Sequence, residues 1–119
     1  MSKTTTALLI KFLLTLVSAY IAFSIIDNNG FGWILGLSIA VTALNYLLGD
    51  LAILPKYGNF SASVADGGLA ALTAYLAGIM FRGNDVGIGS LITFFLLITV
   101  AEYFFHNYLL ESKKVEPNT

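Results

Sequence analysis

Five polar side chains interrupt the long apolar segments of this 119-residue chain, and their types could support chemistry. They are Lys11, Asn45, Asp66, Glu102 and His106. Glu102 and His106 are four residues apart, so on a helix they share a face and can touch. A histidine exchanges its proton near neutral pH, and a neighbouring carboxylate can accept or return it. The set therefore favours a site that carries a proton or binds a cation.

The composition indicates the environment of these side chains. Hydrophobic residues make up 57% of the chain and charged ones 11%, whereas a soluble domain carries roughly 45–50% and about 25%. So little charge cannot cover a soluble globule, and so much apolar surface excludes disorder. The net charge of −1 argues against nucleic acid as a partner. An integral membrane protein, with the lipid bilayer as its partner, remains.

Four segments are long and apolar enough to cross a bilayer, which takes about 20 residues. The predicted spans are residues 7–26, 31–48, 61–81 and 87–110, within one domain of residues 1–110. None alternates with period two, so helices are expected rather than a β-barrel. The predicted fold is an all-α integral membrane four-helix bundle, followed by a charged cytoplasmic tail of residues 111–119.

The basic residues predict the orientation of the bundle. Five lysines fall on the side that holds both termini, and Arg82, in the turn at residues 82–85, falls alone on the other. These lysines are Lys3, Lys11, Lys56, Lys113 and Lys114. The positive-inside rule then places both termini in the cytoplasm. Lys11 and the other four polar residues in the apolar segments are all expected in the cytoplasmic half, and each predicted helix contributes at least one.

Most of these residues also have a structural interpretation. Lys11 can extend its ammonium to the interface along its own stem. Asp66 closes a capping-box pattern that starts at Ser63, so it can cap the third helix. His106 is close to a helix end, where a cation suits the helix dipole. Glu102 lies deeper, and it forms either a static pair with Lys11 or part of a proton or ion site.

The connection between the second and third spans is a second candidate site. Its distinctive residues are Gly49, Asp50, Pro55, Gly58 and Asn59. The apolar residues 51–54 within it either extend the second helix or lie in the membrane interface. Pro55 ends a preceding helix. The connection is expected to be a rigid loop, with a partner-docking or substrate-gating loop as the alternative.

Other kinds of site have no support in the sequence. One histidine and no cysteine are too few for a recognisable metal motif, and there is no P-loop or nucleophile elbow. No metal, no cofactor and no enzymatic activity are therefore expected.

Small residues recur every fourth position at Gly32, Gly36 and Ala40, and again at 63, 67 and 71 and at 70, 74 and 78. Such runs pack helices closely, either inside one bundle or in a homodimer.

The middle of the chain resembles the YndM-like family of small bacterial membrane proteins. The resemblance is densest between residues 47 and 72 and rests on residues 9–12, 49–51, 53–56, 58–59, 62 and 65–66. It implies a four-helix protein of the bacterial cytoplasmic membrane, and it assigns no functional residues. The expected function is structural or regulatory, through a membrane protein partner or a homo-oligomer. The alternative is a small ion, proton or solute transport subunit with a cytoplasm-facing polar cavity.

Overall fold

The computed structural model describes residues 3–27, 29–81 and 86–115, with side chains for residues 5–27, 29–81 and 86–107. Most of these residues are helical, and none of them forms a strand. The elements are α1 (Lys3–Ala19), a first π-helical segment (Tyr20–Ile25), α2 (Phe31–Leu44), a second π-helical segment (Asn45–Ile53), α3 (Leu54–Tyr57), α4 (Asn59–Met80) and α5 (Ile88–Val115).

Four helical stretches are long and apolar enough to cross a membrane, as the sequence predicts. They are Thr5–Ile25, Phe31–Tyr57, Asn59–Met80 and Ile88–Asn107. Because successive stretches run in opposite directions, the start of α1, the α3–α4 turn and the end of α5 lie together. We call this the Gly58 end of the bundle, after the residue whose φ of 91° forms that turn. Glycine adopts such an angle without a steric penalty.

Two helices extend beyond the predicted spans. The second helical stretch continues past residue 48 to Tyr57, so residues 49–57 are helical rather than a loop. The fourth helix continues to Val115, so the first five residues of the predicted tail are helical. The predicted turn at residues 82–85 and tail residues 116–119 lie outside the described residues.

The second π-helical segment explains why the longer second span can bury Asp50. In an α-helix, residues five apart point about 140° away from each other. A π-helix closes i to i+5 hydrogen bonds and so brings such residues onto one face. The Leu54 N–H donates to Gly49 O in this pattern, and Asn45, Gly49 and Asp50 are all buried. Pro55 follows the segment and has no N–H to donate to the Leu51 carbonyl.

Apolar packing holds the part of the bundle away from the Gly58 end. The ring of Phe23 meets Trp33 and Phe94 edge to face, at centroid distances of 5.5 and 5.0 Å. At the end of the bundle opposite Gly58, the backbone N–H of Gly87 donates to Asp27 Oδ2 at 3.0 Å. This hydrogen bond joins the connection after the first span to the residues just before α5. Edge-to-face rings add stability beyond their buried area, and no charged side chain that the structure describes in this half is buried.

Gly67 sets the close approach of α4 and α5. A Cβ at position 67 would collide with Thr99 Oγ1 and lie 2.9 Å from the Phe95 carbonyl oxygen. The stripe of Gly32, Gly36 and Ala40 on α2 differs, because all three residues are exposed on the outside of the bundle. Small residues thus serve helix packing on α4 and form an open face on α2.

Candidate functional site

A buried charged cluster lies near the Gly58 end, and every long helix contributes to it. Lys11 comes from α1, Asn45 and Asp50 from the second π-helical segment, Asp66 from α4, and Glu102 and His106 from α5. None of these six residues is more than 6% exposed. The structure therefore brings together all five polar residues singled out in the sequence and adds Asp50.

Lys11 lies among the three carboxylates of the cluster. Its Nζ is 2.5 Å from Glu102 Oε2, 3.2 Å from Asp50 Oδ2 and 3.8 Å from Asp66 Oδ2. The ring of Phe105 lies 5.0 Å from the same ammonium. Lys11 is only 1% exposed, so the interpretation that it reaches the membrane interface is wrong. Three carboxylates attract the ammonium inward, and the pair with Glu102 predicted from the sequence is present.

His106 presents one ring nitrogen to the same carboxylates. Its Nε2 is 2.8 Å from Asp50 Oδ1, 3.3 Å from Asp66 Oδ2 and 3.9 Å from Glu102 Oε1. Glu102 therefore lies between Lys11 and His106, while Asp50 and Asp66 approach both basic groups. Either a proton on Nε2 or a bound cation would satisfy this arrangement.

The other ring nitrogen of His106 is held by Asn59. Asn59 Nδ2 donates to the Tyr103 carbonyl at 3.0 Å and to Asn107 Oδ1 at 3.2 Å. These two acceptors fix the amide so that Asn59 Oδ1 faces His106 Nδ1 at 2.9 Å. Ser63 Oγ also donates to this oxygen, at 3.0 Å. Because Oδ1 can only accept, Nδ1 carries a hydrogen and Nε2 is the nitrogen directed at the carboxylates.

The carboxylates of the cluster outnumber its basic groups. Asp50, Asp66 and Glu102 face one ammonium and one imidazole. Both oxygens of Asp66 and Oε1 of Glu102 make no hydrogen bond with any described residue, although they are buried. Buried negative charge in excess of its basic partners is costly, above all within a membrane. The cluster can therefore accept further positive charge.

Two structural interpretations from the sequence are corrected. Asp66 does not cap the third helix, because α4 begins at Asn59 and Asp66 lies in its second turn. His106 is not at a helix end, because α5 continues to Val115. Both residues therefore lie inside helices, where neither capping nor the helix dipole accounts for them.

The predicted loop motif is also corrected. Asp50 belongs to the buried charged cluster, and Asn59 contacts it as the partner of His106. Gly49 packs against Asp66, while Pro55 and Gly58 shape the turn between α3 and α4. The signal for Asp50 was present in the sequence. Apolar residues 51–54 follow it and continue the helix, which was one of the two alternatives.

Four potential metal ligands meet in the cluster, although the sequence contains no recognisable metal motif. One ligand atom from each of Asp50, Asp66, Glu102 and His106 lies within 4.8 Å of every other. The residues come from three separate helical elements, so sequence spacing alone could not reveal them.

The fold and cluster define the chain as a multi-pass, all-α integral membrane protein with ionisable groups buried in its bundle. It belongs to the family described as "protein of unknown function (DUF2512)", which it matches over residues 2–118. It is similar to the uncharacterised membrane protein YndM of Bacillus subtilis (strain 168), with 31% identity over 107 residues. The match covers 89% of this chain but 60% of that relative. No solved structure matches.

Proposed function

We propose that this protein is a small, non-enzymatic transport subunit of the bacterial cytoplasmic membrane. In this proposal the buried charged cluster takes up a proton or a metal cation from the cytoplasmic side. The observation that carries the proposal is the excess of carboxylates over basic groups, with buried Asp66 oxygens that lack hydrogen-bond partners in the described chain. A static strut needs only matched charges, whereas an excess of buried carboxylate is stabilised by a cation.

The position of the cluster supports entry from the Gly58 end. Asp66 lies seven residues after the start of α4, so it is roughly 10 Å from that end at 1.5 Å per residue. Asn59 is partly exposed and contacts His106 directly, which links the surface to the cluster. Four short helices enclose little volume, so passage across the whole bilayer would involve a second copy or a partner.

Flux measurements with the purified protein in liposomes test the proposal. A pH-sensitive dye reports proton movement, and matching dyes report monovalent and divalent cations. We expect Glu102→Gln and Asp66→Asn to abolish the flux seen with the wild-type protein. Asp27→Asn is the matched control, because it removes a carboxylate outside the cluster while keeping an oxygen for the Gly87 N–H. A wild-type protein that moves neither protons nor cations would contradict the transport function.

A structural or regulatory function, through a membrane partner, is the second candidate. The observation that favours it is the exposed face of Gly32, Gly36 and Ala40, since no atom lies within 4 Å of a Cβ built at either glycine. Such a face admits another helix at close range.

The native chain has no cysteine, so Gly36→Cys should form a disulfide-linked dimer in membranes if the partner is a second copy. Val17→Cys, exposed on α1, is the control.

A further inference from the structure

We infer that the buried charged cluster binds a divalent first-row transition-metal cation through Asp50, Asp66, Glu102 and His106. This inference deepens the proposed function by naming the cation, and so it rests on that function. The four ligand atoms lie within 4.8 Å of one another. Ligands bound at about 2.0–2.2 Å are at most about 4.4 Å apart, so a small contraction of the cluster would complete the site.

The donor atoms select the class of metal. Three carboxylate oxygens alone would suit magnesium or calcium, which prefer oxygen ligands. The imidazole nitrogen of His106, 2.8 Å from Asp50 Oδ1, suits zinc, iron, copper or nickel better. With a neutral ring, the three carboxylates and the Lys11 ammonium leave two negative charges, which one divalent cation balances.

The surroundings of His106 match those of a metal ligand. Ligating histidines donate the other ring N–H to an oxygen acceptor, which fixes the tautomer and aims the free nitrogen at the metal. Asn59 Oδ1 is that acceptor here, at 2.9 Å from Nδ1, and its amide is held by the Tyr103 carbonyl and Asn107. The contacts that orient the His106 ring through Nδ1 involve none of the acidic residues of the cluster.

Buried oxygens without a hydrogen bond provide a second observation. Asp66 is fully buried, and neither of its carboxylate oxygens makes a hydrogen bond with the residues described, although Oδ2 is 3.3 Å from His106 Nε2. Asn45, also fully buried, donates through Nδ2 to Glu102 Oε2 at 3.3 Å, and its Oδ1 has no partner there either. The Asp66 carboxylate, one of whose oxygens lies within 4.8 Å of the other three ligand atoms, therefore has lone pairs that a metal can use.

Lys11 acts in this proposal as a cation that competes with the metal. Its ammonium contacts Glu102 Oε2 at 2.5 Å and Asp50 Oδ2 at 3.2 Å, so it offsets part of the carboxylate charge when no metal is bound. A bound metal takes over these contacts and displaces the ammonium within the cluster. Metal affinity is therefore limited by competition with Lys11.

Titration of the purified full-length protein with Co²⁺ in detergent tests the inference. We expect saturable visible absorption with one Co²⁺ per chain and a higher melting temperature. Zn²⁺ should displace the Co²⁺, whereas excess Mg²⁺ should not. His106→Gln should weaken Co²⁺ binding at least 100-fold, and Asp27→Asn should leave it within about twofold of wild type.

Asn59→Ala provides a milder variant in case His106→Gln does not fold. Asn59 is partly exposed and supplies no ligand, and its loss should weaken Co²⁺ binding about 10–100-fold. A wild-type protein without saturable Co²⁺ binding would overturn the inference, as would unchanged affinity in both variants. Proton or monovalent flux without Co²⁺ binding would overturn the inference and leave the proposed function standing. Co²⁺ binding without flux of any cation would support the metal site and contradict transport.

Discussion

The backbone of Gly49 packs so closely on Asp66 that a Cβ at position 49 would overlap the Asp66 carboxylate. Gly49 lies in the second π-helical segment, next to Asp50, and Asp66 lies opposite on α4. Because Gly49 has no side chain, the Asp66 carboxylate can lie beside Asp50. A substitution at Gly49 should therefore displace the Asp66 carboxylate and disturb the buried charged cluster.

Gly49→Ala should lower the free energy of unfolding by about 1–3 kcal/mol, because an added methyl in a filled interior forces neighbours to move. Melting in detergent measures the effect. Gly36→Ala is the control, since a Cβ there meets nothing within 4 Å, and the change should stay within about 1 kcal/mol. Equal effects of the two variants would contradict the close Gly49–Asp66 contact.

Gly67→Leu should lower the free energy of unfolding by about 3 kcal/mol or prevent assembly, because its side chain would push α5 away from α4. Ala74, also fully buried on α4, should be similarly sensitive to leucine. Gly68→Leu is the adjacent control, because a Cβ at position 68 meets nothing within 4 Å. Melting temperatures near wild type for Gly67→Leu and Ala74→Leu would indicate that this face of α4 contacts lipid.

Lys11 and Glu102 should contribute unequally to stability, although they form one ion pair. Lys11→Met leaves three buried carboxylates without the ammonium and should cost about 3–5 kcal/mol. Glu102→Gln should change the free energy of unfolding by less than about 1 kcal/mol, because Lys11 keeps Asp50 at 3.2 Å. Melting of both single variants measures this asymmetry.

The double variant Lys11→Met with Glu102→Gln separates a cluster from an isolated pair. In the cluster, Asp50 and Asp66 still lack the ammonium, so the double variant should recover only part of the stability lost by Lys11→Met. A two-member strut would recover most of the loss, since no unpaired charge would remain. Equal costs for the two single variants would also favour the strut.

Both termini should lie in the cytoplasm. Lys11 is buried in the cluster and does not act as a flanking charge, so four lysines on the terminal side remain against Arg82 on the other. Four against one is still a clear positive-inside bias. Reporter fusions at Tyr57 and Thr119 should read cytoplasmic, and those at Gly30 and Asn84 external. An external reading at Thr119 would reverse this orientation.

The bundle and its polar residues could be predicted because each depends on local composition. A run of about 20 apolar residues has one stable form in a bilayer, since only a helix satisfies its own backbone there. Lys11, Asp66, Glu102 and His106 stand out because charge within such a run is rare. The pairing of Lys11 with Glu102 could be predicted because both fall in the same half of the membrane.

The roles of Asp50 and Asn59 depended on tertiary structure. A polar residue before Pro55 and Gly58 suggests a loop, yet a π-helical segment carries the span to Tyr57 and turns Asp50 inward. Asn59 gains its role only because α5 places His106 within 2.9 Å of it. A sequence determines which segments enter the membrane, since transfer from water depends on composition. Which side chains meet inside the bundle depends on the rotation and register of the packed helices. The π-helical segment changes the helical pitch, and so it alters both the rotation and the register of the residues that follow.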